Sequence, residues 1–264
     1  MKEYAIITGA SAGLGLEFAR EFARRGTNSV IVARSEDKLR GIAAELKSGF
    51  GVDSIPLSLD IADPLDRNRL VEYCTNNNLN VAYLVNSAGY GSNGDFNELD
   101  VANEMRMTEL NCVAVQELSH RFIGMFLRRR SGTIVNIAST ASFQPVPYMA
   151  TYSATKAFVL NFSMALGGEL SGSGVKVIAL CPGPVDTSFF RNAGMKKPKS
   201  LLKVHPPQFV VRKAFKAIDG GKSFVVTGTL NKTLYYLGSV MPLSFRTWVA
   251  GKMFRPGRKR RKSS

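Results

Sequence analysis

The chain has 264 residues, 45% of them hydrophobic and 21% charged, an ordinary globular balance that excludes a disordered chain. A single α/β domain of this length buries a large core, so no second domain is needed. The net charge of +15 is unevenly placed: residues 196–264 carry 17 Lys and Arg against Asp219 alone, whereas residues 1–195 carry 18 against 19 acidic groups. The basic character therefore belongs to the C-terminal quarter, where it attracts anionic lipid, nucleic acid or phosphorylated ligands. Cys74, Cys112 and Cys181 are scattered, odd in number and without a CxxC pair, which argues against a disulfide framework and for a reducing cytosol. Met1 to Glu3 lead straight into an apolar run, so no secretory leader is expected.

Strand-like runs fall at 4–7, 29–33, 54–59, 81–85, 133–137, 175–180 and 224–227, most of them dense in Val, Ile and Leu. Such runs suit strands covered on both faces. Helical patterns lie between them. Leu14, Phe18 and Phe22 recur every four residues and stop at Gly26; further helices are expected over 35–50, 64–76, 100–130, 148–170 and 206–219. The alternation predicts a single-domain, Rossmann-type α/β fold, a doubly wound parallel sheet of seven strands with ligands bound beyond the C-terminal strand ends.

The first strand runs into Thr8-Gly9-Ala10-Ser11-Ala12-Gly13-Leu14-Gly15, which opens a helix. Glycines there permit a tight turn, bring backbone N–H groups to a pyrophosphate and let the helix pack closely on the strand. The spacing is TGxxxGxG rather than GxGxxG, and a plain structural turn is the alternative. The second strand ends at Ala33-Arg34-Ser35, where dinucleotide-binding units that take NAD carry an acidic residue on the ribose 2′-hydroxyl. A guanidinium at Arg34 matches a 2′-phosphate instead, so NADP(H) is the expected cofactor, with Ser11 and Ser35 as added donors. The alternative is a solvated charge at a strand end. Asp60-Ile61 follows the third strand, where side chains meet an adenine ring, and Asn86-Ser87-Ala88-Gly89 follows the fourth, where small residues leave room for the cofactor backbone. An N-cap or loop carboxylate is the plainer reading of Asp60.

Tyr152 and Lys156 are four apart in an expected helix and so share a face. An ammonium near a phenol favours the phenolate and tunes it for proton transfer. Ser139 follows the fifth strand, where its hydroxyl can bind a carbonyl oxygen beside Tyr152. Asn111 interrupts an apolar stretch in a helix and needs partners; satisfaction within the core is its alternative reading. His120 and His205 have no partner at metal-ligand spacing, and no metal is expected.

The TGxxxGxG turn, the Asn86–Gly89 run, Asn111, Ser139, the Tyr152/Lys156 pair and Pro182-Gly183 have the order and spacing of the short-chain dehydrogenases/reductases. The resemblance covers residues 3–228 and departs at Ser87, where that family usually has a second Asn. It implies that Tyr152 gives or takes the substrate proton, that Lys156 lowers the tyrosine pKa and holds the nicotinamide ribose, and that Ser139 orients the carbonyl. It further implies that Asn111 supports a water chain to Lys156, that Pro182, Gly183, Val185 and Thr187 flank the nicotinamide carboxamide, and that hydride passes between NADP(H) and a carbonyl or secondary alcohol. A non-catalytic NADP-binding regulator or sensor on the same fold is the alternative class, and the retained Ser139, Tyr152 and Lys156 argue against it.

In that family the segment after Thr187 covers the substrate, here a lid over 188–205. Phe189 and Phe190 on the lid, with Ser139, Phe143, Tyr148 and Met149 opposite, suggest an apolar pocket for a 3-oxoacyl, steroid-like or similar ketone. The alternative is a mobile lid or an interface. Homodimers or homotetramers through the helices over 100–130 and 148–170 are implied by the resemblance alone. Residues 229–264 follow the catalytic unit as an apolar and aromatic stretch leading into the cationic run 255–262. Thr233 to Phe245 is uncharged but too short to cross a bilayer. The segment suits attachment to an anionic membrane surface, with a solvated tail as the equal alternative and a nuclear or nucleic-acid patch the less favoured one. The expected location is cytoplasmic, with peripheral attachment to a membrane as the variant.

Overall fold

Seven strands form one wholly parallel sheet in the computed structural model, which describes residues 2–195 and 203–256. The chain runs β1 (Tyr4–Thr8), α1 (Gly13–Arg24), β2 (Asn28–Ala33), α2 (Glu36–Phe50), β3 (Ser54–Ser58), α3 (Pro64–Asn76) and β4 (Val81–Asn86). It continues through α4 (Val101–Thr108), α5 (Ala114–Arg129), β5 (Gly132–Ile137), α6 (Ala150–Glu169) and β6 (Val175–Cys181). The short α7 (Phe189–Asn192) precedes α8 (Pro207–Asp219), β7 (Phe224–Val226), α9 (Thr229–Ser239) and α10 (Leu243–Phe254). The strand order is β3-β2-β1-β4-β5-β6-β7, so the winding reverses between β1 and β4 and opens a crevice at their C-terminal ends. This is the doubly wound fold expected from the pattern of runs.

Alternation along each strand explains why both faces are covered. Ile6, Val30, Leu84, Ile134 and Val177 enter one core with Leu118, Phe122 and Phe126 of α5. Their neighbours Ile7, Ile31, Val85, Val135 and Ile178 enter the other, with Phe18 and Phe22 of α1 and Phe215 of α8. β3 lies at the edge, the position that tolerates Pro56, which pairs with Ile31 but donates no backbone hydrogen bond. Local signals set the ends. The Asp63 carboxylate caps α3 by accepting from Leu65 N at 2.9 Å, with Pro64 in the first turn, and Gly51 closes α2 at φ 70°.

Two segments differ from expectation. The helix expected over 100–130 is interrupted by a π-helical turn, Glu109–Val113, which widens the backbone around Asn111. The stretch after 228, with no secondary structure assigned from sequence, forms α9 and α10 joined around Pro242. The cationic run from 257 onward and lid residues 196–202 lie outside the described residues.

Candidate active site

A cavity of about 680 Å³ occupies the crevice at the strand ends. Its floor is the turn between β1 and α1, with Gly9, Ser11, Gly13 and Leu14 on its wall. The glycines are structurally required. Gly9 has φ 69°, and a Cβ there would stand 2.9 Å from the backbone of Ala88; a Cβ on Gly15 would stand 2.4 Å from the Gly9 carbonyl oxygen. Thr8 and Gly15 therefore build the turn from behind rather than line it. Thr8 Oγ1 accepts from Ser87 N at 3.0 Å and Ala88 N at 3.1 Å, tying the β1 turn to the β4 loop.

At one end lie Arg34, Ser35, Asp60 and Ile61. Arg34 is solvent-exposed, and no carboxylate lies within ion-pair distance of it among the described residues. Asp60 is instead paired with Arg106 of α4. Arg106 also lines the cavity, so this end holds two guanidinium groups, one neutralised. No local motif marks Arg106; only the packing of α4 brings it there. The loop at Asp60-Ile61 is braced from beneath by the buried Arg67, which donates to Ile61 O at 2.9 Å and Ala62 O at 3.1 Å while pairing with Glu109 and Glu117.

At the other end Ser139, Tyr152 and Lys156 meet, with Ala88, Gly89, Pro182, Gly183, Val185, Thr187 and Phe189 around them. Tyr152 and Lys156 project from one face of α6, and the Lys156 ammonium lies 5.9 Å from the centre of the Tyr152 ring. Burial pushes the Tyr152 phenol up to about 12, with the Ser139 hydroxyl offsetting part of the rise. Burial pushes the Lys156 ammonium down to about 8. Burial thus raises the Tyr152 phenol, opposite in direction to the lowering by Lys156 that the sequence pattern suggested. The cause is that Lys156 Nζ donates to Ile137 O at 2.9 Å and does not contact the phenol oxygen, leaving desolvation in control.

Asn111 stands behind this pair. In the π-helical turn it donates to Tyr90 O at 3.0 Å and Thr155 Oγ1 at 3.1 Å, and accepts from Tyr90 N at 3.3 Å. A Cβ on Gly89 would lie 2.8 Å from Asn111 Oδ1 and 3.5 Å from Lys156 Nζ, so the two groups converge over that glycine. Asn86 lies elsewhere: its amide is buried beneath the sheet end, donating to Asn136 Oδ1 at 2.8 Å and to Ser119 Oγ at 3.4 Å. The neighbouring Ser87 lines the cavity in its place.

The expected substrate residues divide. Ser139 and Phe189 line the cavity, with the Phe189 ring 5.2 Å from that of Tyr152. Phe190 is buried behind Phe189, and Met149 is buried beside Met107 and Ala250. Phe143 turns away to pack on Tyr235 of α9, and Tyr148, at φ 68°, lines a separate groove against α10. The C-terminal helices thus pack on Phe143 and beside the Pro147-Tyr148 turn, contacts between distant parts of the chain that no local pattern carries.

The residues fit a dinucleotide phosphate. The glycine turn admits a pyrophosphate where any side chain would collide with backbone, the start of α1 presents N–H groups to it, and Arg34 offers an uncompensated positive charge one strand away.

A sequence model of the short chain dehydrogenase family matches residues 3–198. The chain is 33% identical over 214 residues to a very-long-chain 3-oxoacyl-CoA reductase of Neurospora crassa, a match covering 78% of this chain and 62% of that longer relative. It is 30% identical over 246 residues to ketoacyl reductase HetN of Nostoc sp., covering 90% of this chain and 85% of the relative. A short-chain dehydrogenase from Sphingobium yanoikuyae, solved in complex with NADPH, superposes with a TM-score of 0.80 at 32% identity, covering 92% of this chain and 97% of that one. On the sequence match, the superposition and the convergence of Ser139, Tyr152 and Lys156 in one crevice, this chain belongs to the short chain dehydrogenase family.

Proposed function

We propose that the protein is an NADPH-dependent reductase of a lipophilic carbonyl compound, of the 3-oxoacyl or steroid-like class. The observation that carries the reading is a cavity with Arg34, which has no ion-pair partner among the described residues, at one end and the buried Tyr152 phenol at the other. The cofactor supplies hydride to the carbonyl carbon when bound. Gly9, Ser11, Gly13 and the start of α1 hold its pyrophosphate, Arg34 and Ser35 its 2′-phosphate, and Ile61 with the Asp60–Arg106 pair borders the adenine. Ala88, Gly89, Pro182, Gly183, Val185 and Thr187 border the nicotinamide half.

Ser139 holds the carbonyl oxygen beside the Tyr152 hydroxyl. Tyr152 would give its proton to that oxygen, so that the reduced product is an alcohol. The Lys156 ammonium, 5.9 Å from the centre of the Tyr152 ring and lowered by burial to about 8, supplies a proton for restoring the phenol. The space over Gly89, where Asn111 Oδ1 and Lys156 Nζ converge, connects that ammonium to the π-helical turn. Phe189 covers the Tyr152 ring and gives the reacting end of the pocket an apolar roof.

The names of the relatives, both reductases of oxoacyl substrates, support the substrate class. The same reading takes residues 1–228 as the catalytic unit and 229–264 as an extension. It places the protein in the cytoplasm, attached peripherally to a membrane, and self-associated through the outer faces of α5 and α6, where Leu127, Phe158 and Met164 stay exposed. The test is loss of NADPH absorbance against a panel of 3-oxoacyl thioesters and steroid ketones. Turnover is expected, with Tyr152→Phe slowing it by about 10²–10⁴-fold while leaving NADPH binding intact. Tight NADPH binding without turnover on any member of the panel would favour a sensor over an enzyme.

A further inference from the structure

α9 and α10 are fixed to the fold by their inner residues. Asn231, the one buried residue of α9, donates to Thr227 O at 2.8 Å and lies against Gly183. Tyr235 packs on Phe143 with ring centres 4.5 Å apart, and Arg246 donates to Phe143 O at 2.8 Å. Asn93 of the β4 loop donates to Phe254 O at 3.0 Å at the far end of α10. With the inner side so held, Leu234, Leu237, Val240, Leu243, Phe245 and Trp248 are left facing outward, Val240 with 83% of its surface exposed. Beside them a groove of about 680 Å³ opens between the Pro147-Tyr148 turn and α10, lined by Trp248, Gly251, Lys252 and Arg255. So many exposed large apolar side chains on two successive helices, with Phe245 and Trp248 stacked together, call for a partner.

Charge identifies the partner. Asp219 is the last acidic residue of the sequence. The hairpin carries Lys232, Arg246, Lys252 and Arg255, and five more cations follow at 258–262. A second copy docked face to face would set these cations against each other with no carboxylate between them. Nucleic acid would neutralise the cations but leave the aliphatic side chains of α9 with nothing apolar to enter. An anionic bilayer satisfies both features, taking the apolar side chains below the headgroups while the cations meet lipid phosphates. The two helices, 11 and 12 residues long, fit within the plane of the interface. No helix among the described residues is long and apolar enough to cross a membrane.

We propose that the outer face of α9–α10 is a docking surface for an anionic lipid bilayer, with Trp248 at the lipid boundary and the groove beside Tyr148 open to an acyl chain. The inference rests on the peripheral attachment given above and adds the face that makes it. It does not depend on the reductase reading, because binding is measured without substrate. The hairpin's inner residues pack on Phe143 and against Gly183, which lines the cavity, so the docking face is joined directly to the cavity wall.

Trp248 is the only tryptophan in the chain and therefore reports directly. The full-length protein is mixed with vesicles of phosphatidylcholine alone or with added phosphatidylglycerol, and both tryptophan emission and co-sedimentation are read. Expected are a blue shift and quenching by brominated lipid with the anionic vesicles, both weakened by added salt. Leu237→Glu with Phe245→Glu should lower the vesicle partition constant by about tenfold or more, with NADPH binding as the check that the fold survives. Sedimentation without any change in Trp248 emission would mean that the cations alone adhere, and would overturn the docking face. So would no sedimentation, a blue-shifted tryptophan in a lipid-free dimer, or a shift produced by duplex DNA instead of vesicles. The wild-type quenching measurement decides the matter even where the double variant fails to fold.

Discussion

Replacing Lys156 by Met should stabilise the protein at neutral pH and abolish its turnover. In the folded chain the ammonium is held at about 8 against an ordinary value of 10.5, chiefly by desolvation. Two and a half units correspond to about 3 kcal/mol by which the folded state disfavours the charged amine. The sign follows from proton counting. Below pH 8 the amine is protonated both folded and unfolded, so the wild type bears the whole penalty. Between pH 8 and 10.5 the unfolded chain binds more protons, so raising the pH relieves the penalty and stabilises the wild type. Methionine has no such group, and its unbranched chain fills similar space. It forfeits the 2.9 Å bond to Ile137 O and leaves that carbonyl short of a partner, a loss of about 1–2 kcal/mol. The net expectation is a Lys156→Met protein more stable by about 1–2 kcal/mol at pH 7 and less stable by a similar amount near pH 10.5. Urea denaturation of both proteins across this range, without cofactor, measures the difference. A stability difference that does not change with pH would refute the reasoning, because it would mean that Lys156 titrates as it does in water.

Arg34→Glu should shift the ratio of NADPH to NADH turnover toward NADH by about 10–100-fold, the worth of a charge-assisted hydrogen bond, since no carboxylate among the described residues pairs with Arg34. An unchanged ratio, read from parallel rates with the two cofactors, would show that Arg34 does not meet the 2′-phosphate. Gly183→Ala places a Cβ 2.1 Å from Asn231 Nδ2, and displacing that buried amide should destabilise the fold by about 1–3 kcal/mol and weaken NADPH binding. Adding Asn231→Ala should recover much of both losses. Strict additivity of the two changes would sink the claim that α9 seats the Pro182–Thr187 loop.

The sequence by itself determined the sheet and the ends of the cavity, because these rest on local patterns. Short runs of Val and Ile between amphipathic segments suit strands covered on both faces, and a turn in which a Cβ would strike backbone is written as glycine. Tyr152 and Lys156 are four residues apart on one helix, so their pairing needed no tertiary knowledge. Everything that depends on contacts between distant residues was decided by the tertiary structure. Arg106 reaches Asp60 across 46 positions, Asn86 turns into the core to meet Asn136, and Phe143 leaves the pocket for Tyr235. Asn111 lies in a π-helical turn, where its amide meets both Tyr90 and Thr155, partners that composition does not reveal. The tyrosine shows the same division at the level of chemistry. Spacing places a cation near the phenol, but burial, which spacing does not express, raises the phenol and lowers the ammonium.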